Sequence, residues 1–201
     1  MNHRFDLKHT AYRSDQLPNE TRPQVLMAGR SNAGKSSLIN CLAQSGKLAR
    51  TSSTPGKTRS INFFHVQPGD FFMVDLPGYG YAKCSKQERG KWAGLMQDYL
   101  SGSPHIRGMV LITDSRLTPQ PLDVELASFA KQYGFDLLLV LTKSDKSRQK
   151  ERSRALNAWK RLFPEAGEPI LFSAKTGRGR EALWLRILEL AGVSSGAPFS
   201  G

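Results

Sequence analysis

The 201 residues predict an α/β domain of three layers: a six-stranded, mostly parallel sheet with one antiparallel strand and helices on both faces. Three observations carry that prediction. From residue 107 onward, strand-like apolar runs alternate with helical stretches of about 10–15 residues, the pattern of βαβ units. A glycine-rich turn, Gly29-Arg30-Ser31-Asn32-Ala33-Gly34-Lys35-Ser36, separates an apolar run from a helical one. Gln67-Pro68-Gly69-Asp70 stands between two further apolar runs, a hairpin turn that would reverse one strand.

In chain order, residues 1–22 are polar and read as an N-terminal extension on a single domain spanning 23–191. Val25-Leu26-Met27-Ala28 is the first strand, and a helix is expected over 35–44, with Leu38, Ile39 and Leu42 on one face. Residues 45–60 form a polar connection rich in Ser, Thr, Gly and Pro; connections this long are usually functional. Residues 61–66 and 71–74 are the hairpin strands, followed by a helix over 86–100. Then come strand 107–113, a helix over 121–133 with Pro121 suited to its first turn, and strand 136–141. A basic helix over 147–163, strand 169–172 and a last helix over 178–191 complete the domain. Residues 192–201 read as a flexible tail. There is no internal repeat and no room for a second domain.

The glycine-rich turn fits GxxxxGK[ST], the phosphate-binding loop of P-loop NTPases. Gly29 and Gly34 permit a tight turn in which consecutive backbone N–H groups aim at phosphate oxygens. The following helix offers its N-terminus to the same anion. Lys35 adds a full charge for the β- and γ-phosphates, and Ser36, with Ser37 beside it, can supply a hydroxyl to Mg²⁺. A ligand-free strand–helix turn is the bland alternative; the strand before and the helix after favour the phosphate loop.

Ligands of open parallel sheets bind at the carboxyl ends of strands, and each further candidate follows a strand. Asp75-Leu76-Pro77-Gly78 leaves the second hairpin strand about forty residues after Lys35. A carboxylate there can hold Mg²⁺ through water while the Gly78 N–H reaches a γ-phosphate. Thr142-Lys143-Ser144-Asp145 follows the fifth strand. The Asp145 carboxylate can accept from guanine N1–H and N2–H₂ together, whereas adenine offers neither donor on that edge. The Lys143 stem can lie along the base. Ser173-Ala174-Lys175 follows the sixth strand, where a backbone N–H can meet guanine O6. In the polar connection, Thr54 and Thr58 are both candidates to close on Mg²⁺ and the γ-phosphate. Thr58 is favoured, with Gly56 and Lys57 counted beside it, because Pro55-Gly56 provides a turn and a strand begins just after.

Composition narrows the classes. Hydrophobic residues at 39% and charged ones at 23% describe a globular chain rather than a disordered one. No apolar run approaches the roughly 20 residues that span a bilayer, and no secretory signal precedes the domain, so a cytoplasmic protein with no membrane partner is expected. Cys41 and Cys84 form no metal or redox motif. The charge of +12 is concentrated: residues 47–60 carry a net +4, residues 143–161 a net +6 and residues 175–186 a net +3. One nucleotide needs only a few cations. Solvated helix faces could account for the rest, but clustering favours a nucleic-acid partner.

Taken in order, GRSNAGKSSLIN, RTSSTPGKTRSINFF, DLPGYGYAK, TKSD and FSAK look like a translation-factor-type GTPase. Their wording resembles the YihA/EngB (YsxC) family of bacterial GTPases over about residues 20–190. The resemblance implies a Ras-like GTPase fold and a monomeric, GTP-gated factor in assembly of the large (50S) ribosomal subunit, touching rRNA and ribosomal proteins. It implies Mg²⁺ through Ser36 and Thr58 with Asp75, phosphate contacts on the P-loop and on residues 75–78, and guanine contacts on residues 142–145 and on Phe172, Ser173 and Ala174. Lys35, Thr58 and Gly78 would carry GTP hydrolysis to GDP. Relatives with an asparagine at the position of Asn32 can bind K⁺ beside the phosphates, a further expectation here. Tyr79 stands where Ras-like enzymes place the glutamine that orients the attacking water, so slow intrinsic hydrolysis is expected, raised by a partner or a cation. From another class, the chain would be a GTP-dependent switch that binds a protein, for example in cell division or septation. A small-molecule kinase is disfavoured by TKSD and by the lack of an Arg-rich lid before the third strand.

Overall fold

The computed structural model describes residues 3–46, 48–49, 60–80 and 86–193, with residues 86–93 described by their backbone alone. Thr54, Gly56, Lys57, Thr58, Cys84 and residues 194–201 lie outside the described residues. Among the described residues, seven strands and five α-helices follow one another: β1 (Arg4–Ala11), β2 (Gln24–Gly29), α1 (Lys35–Leu42), β3 (Ile61–Gln67), β4 (Phe71–Asp75), α2 (Lys86–Gly102), β5 (Ile106–Asp114), α3 (Pro121–Gln132), β6 (Asp136–Thr142), α4 (Gln149–Leu162), β7 (Ile170–Leu171) and α5 (Arg180–Leu190). They form one sheet in the order β1-β3-β4-β2-β5-β6-β7. Every pairing is parallel except β1 with β3 and β3 with β4, so β3 alone runs against the rest.

The α/β class and the single reversed strand match the sequence reading; the strand count does not. Seven strands stand where six were expected, because Arg4–Ala11 pairs along β3 as an outer edge. Its sequence, RFDLKHTA, hides the strand because an edge strand is half solvated and tolerates charge. The central strands are buried on both faces and read instead as unbroken apolar runs.

Alternation along those runs sorts side chains into two cores. Leu26 and Ala28 of β2 face Leu95, Met96 and Tyr99 of α2, Ala127 and Ala130 of α3, and Ala155 and Trp159 of α4. Val25 and Met27 face Leu38, Ile39 and Leu42 of α1 and Leu183, Trp184 and Ile187 of α5. Each fully buried Leu, Met or Phe is worth roughly 1.5–3 kcal/mol against exposure, so a one-residue slip of β2 would forfeit both cores at once. Among the described residues, no helix is long and apolar enough to cross a membrane.

Candidate functional site

The carboxyl ends of β2, β4, β6 and β7 bring together the described candidates. The loop after β2 turns into α1 through Gly34, whose φ of 99° only glycine adopts without strain. Leu38 N–H closes the first helical turn on the Gly34 carbonyl at 2.9 Å. Gly29, Arg30, Ser31, Asn32, Ala33, Lys35, Ser36 and Ser37 therefore occupy one loop and the opening turn of one helix. Asn32 sits at its crest, exposed, with φ 66°.

Lys35 is 8% exposed and forms an ion pair with Asp75, which is 4% exposed at the end of β4. Beyond Asp75 the chain stays laced to β2 and its loop: Leu76 N–H donates to the Met27 carbonyl at 3.1 Å, and Ser31 N–H to the Tyr79 carbonyl at 2.9 Å. Between them lie Pro77 and Gly78. A Cβ on Gly78 would stand 3.2 Å from Ser31 Oγ and 3.3 Å from its N and Cα, so the two loops would have to part by a few tenths of an ångström to admit one. Tyr79 turns away from the P-loop, and its hydroxyl donates to Asp123 of α3 at 2.7 Å. Burial drives the Tyr79 phenol well above its usual range, and the bond to Asp123 adds to this. Burial also raises the Asp123 carboxyl, against a Tyr79 bond that alone would lower it.

The base-side candidates are tied to backbone. The Thr142 hydroxyl sits between two carbonyl acceptors, Ala33 and Thr113, and joins this loop to the P-loop. Lys143 adopts φ 56° and donates to the Asn32 carbonyl at 2.6 Å. Ser144 N–H donates to the Phe172 carbonyl at 3.1 Å. Ser173 Oγ donates to the Asp145 carboxylate at 2.7 Å, and this bond lowers the Asp145 pKa. Asp145 is exposed, an ionised acceptor at the mouth of the loop, with Ala174 next to its Ser173 partner.

Three residues of this assembly escaped the sequence reading. Asp114 ends β5 and lies 3.0 Å from Lys143 Nζ. Its carboxylate also accepts from Arg116 N–H at 3.1 Å, Nε at 2.9 Å and Nη2 at 2.6 Å. Burial would raise its pKa, but the Arg116 and Lys143 bonds outweigh burial and hold it at about 2. The rule that found the other candidates, a polar residue at the carboxyl end of a parallel strand, applies equally to Asp114 and Arg116. Asp123 had no such signal, because its partner is 44 residues away.

Chemically, the site offers consecutive N–H donors at a helix N-terminus, a buried ammonium, and an exposed carboxylate placed for a base. Ser36 and Asp75 add a hydroxyl and a carboxylate, the hard oxygen donors Mg²⁺ takes one or two at a time while substrate phosphates and waters fill its other positions.

Residues 24–143 match a family model described as 50S ribosome-binding GTPase. The chain is 54% identical over 186 residues to the GTP-binding protein EngB of Oleidesulfovibrio alaskensis, covering 92% of this chain and 84% of that one. It is 49% identical over 191 residues to the EngB of Nitratidesulfovibrio vulgaris, covering 94% and 88%. Among solved structures, a GTP-binding protein engB superposes with a TM-score of 0.70 at 25% identity, covering 85% of this chain and all of that one.

Proposed function

We propose a function that proceeds from one premise: the chain belongs to the EngB family of GTP-binding proteins. It is a GTPase, which binds GTP and GDP and hydrolyses the first to the second. Our reading is that the nucleotide gates its binding to a precursor of the large ribosomal subunit in the cytoplasm, where the chain acts as a monomer in subunit assembly. The observation that supports this most is the net +6 over residues 143–161, a basic helix that starts four residues beyond Asp145. The description of the matching family points the same way.

In this reading the N–H groups from Gly29 to Ser37 cradle the phosphates, and Lys35 exchanges Asp75 for the β- and γ-phosphate oxygens. Asp145 and the backbone at Ser173 and Ala174 select guanine. Ser36 and Asp75, with Thr58 from outside the described residues, would hold Mg²⁺, which would supply positive charge against the phosphates. Gly78 presents its N–H to the γ-phosphate while water attacks phosphorus in line and the bond to the bridging oxygen breaks. Tyr79 is engaged with Asp123 and does not orient that water, so turnover is slow until a partner or a cation, K⁺ beside Asn32 being the candidate, assists. Co-sedimentation with large-subunit particles at fixed moderate salt tests the gating. Binding with a non-hydrolysable GTP analogue and release with GDP is expected. Equal or absent binding in both states leaves a GTPase and transfers its purpose to a protein-binding switch.

A further inference from the structure

Outside the nucleotide site, α4 and the loop between β5 and α3 enclose an open cleft of about 500 Å³. Thr118 and Pro119 form the loop wall; Arg154, Asn157, Arg161 and Leu162 form the helix wall. Positions 154, 157 and 161 recur at helical spacing, so the two arginines share one face about 10 Å apart along the axis. Ala155 and Trp159 are buried in the core and fix that face outward. Both arginines are exposed, and among the described residues no carboxylate lines the cleft. Neighbouring cations are already engaged: Lys160 with Glu168 at 2.5 Å, Lys131 with Glu165 at 2.6 Å, and Arg116 with Asp114. Among the described residues, Arg154 and Arg161 have no such partner.

We propose that this cleft grips the sugar-phosphate backbone of ribosomal RNA, an assignment that rests on the ribosomal reading above. Arg154 and Arg161 each pair with a phosphate, whose geometry the guanidinium fork matches. Asn157 and Thr118 supply neutral hydrogen bonds to phosphate or ribose hydroxyl. The two arginines flank the helix wall on either side of Asn157 and Ala158, and with no carboxylate among the described lining residues to answer them they complement a polyanion. Both walls hang from the nucleotide site. The loop begins at Asp114, which holds Lys143, and α4 begins just past Asp145. The grip is therefore coupled to the loop that reads the base.

The test compares wild type, Arg154→Ala/Arg161→Ala, and a charge-matched control, Arg4→Ala/Arg13→Ala, in the GTP-analogue state. Each is titrated with large-subunit particles and with protein-free large-subunit rRNA at several salt concentrations. The cleft variant is expected to lose roughly tenfold or more in affinity for both, with a salt slope shallower by about 1.4, the share of two phosphates at about 0.7 each. The control and the basal hydrolysis rate of every variant stay at wild-type values. The cleft assignment is overturned if the cleft variant binds both as wild type, if the control loses as much, or if only particle binding falls while free rRNA binding holds, which would assign the cleft to a ribosomal protein. Failure of wild type to bind particles or rRNA overturns the ribosomal reading itself, a result distinct from all of these.

Discussion

On the phosphate side of the site, Lys35 and Asp75 answer each other's charge; on the base side, Thr142, Ser144 and Asp145 are set by hydrogen bonds to backbone and to a hydroxyl. In the proposed site the first arrangement is exchanged when phosphate arrives, Lys35 turning from Asp75 to the phosphate oxygens. There the second survives binding unchanged, because the Ser173 hydroxyl takes one lone pair of the Asp145 carboxylate and leaves the others for guanine. The same strand ends thus carry a rearranging half and a pre-set half. A switch needs both: one to sense the phosphate, one to hold the base while it does so.

The strongest way to break this contrast is Lys35→Ala. It removes the phosphate charge and leaves Asp75 buried without its counter-ion, so about 4 kcal/mol of GTP affinity, on the order of 1000-fold, is expected to go, together with roughly 3 kcal/mol of stability. Adding Asp75→Asn should restore the melting temperature but not the affinity, measured by calorimetric titration; recovery of both would mean the pair is structural only. Next is Asp145→Asn on the pre-set side. Its amide NH₂ opposes the guanine N2–H₂ with a second donor, so GTP affinity should fall about 100-fold while XTP, which carries an acceptor oxygen at C2, gains. A parallel fall for both nucleotides would put Asp145 away from the base.

A smaller effect sharpens the base side. The Asp114 carboxyl is held at about 2 in the folded chain, below the ordinary 3.8, so the native state binds fewer protons between those values. Its contribution is complete above about pH 5 and fades as pH falls toward 2. Allowing for an Arg116 partner that is 43% exposed, about 2 kcal/mol is at stake. Unfolding free energies of wild type and Asp114→Asn from urea titration should differ by that amount at pH 7 and converge near pH 2; a constant gap would refute the charge argument. The smallest effect is Tyr79→Phe, which leaves the buried Asp123 carboxyl one donor short and should cost about 1 kcal/mol of stability. Intrinsic GTP hydrolysis should change less than twofold; a collapse would return Tyr79 to the catalytic machinery.

How much of this was legible in sequence follows from range. Lys35, Asp75, Asp145 and Ser173 were readable because their chemistry is fixed by position relative to a strand end, and strand ends show as breaks in apolar runs. The pairing of Lys35 with Asp75 was not readable, since it depends on β2 and β4 lying side by side, an order set by packing. Tyr79 was read for the residue it replaces, while its engagement with Asp123 needed α3 in place. Asp114 and Arg116 were missed although the strand-end rule covered them, because no guanine or phosphate role called for them. Arg4–Ala11 was missed for the opposite reason: an outermost strand lacks the apolar run that identifies the others.

That outermost strand bears on solubility. β3, with Phe63 and Phe64 in the run INFFHVQ, has the aromatic, β-branched make-up of a segment that recruits copies of itself, and β1 occupies its free side. β1 is a poor template in turn, carrying Arg4, Asp6 and Lys8 and losing register by one residue between Leu7 and His9. At the far side β7 offers two residues, too few to seed growth. Trimming residues 1–11 is therefore expected to cost the protein its dispersal before its catalysis, with light scattering rising at concentrations where the full chain stays clear.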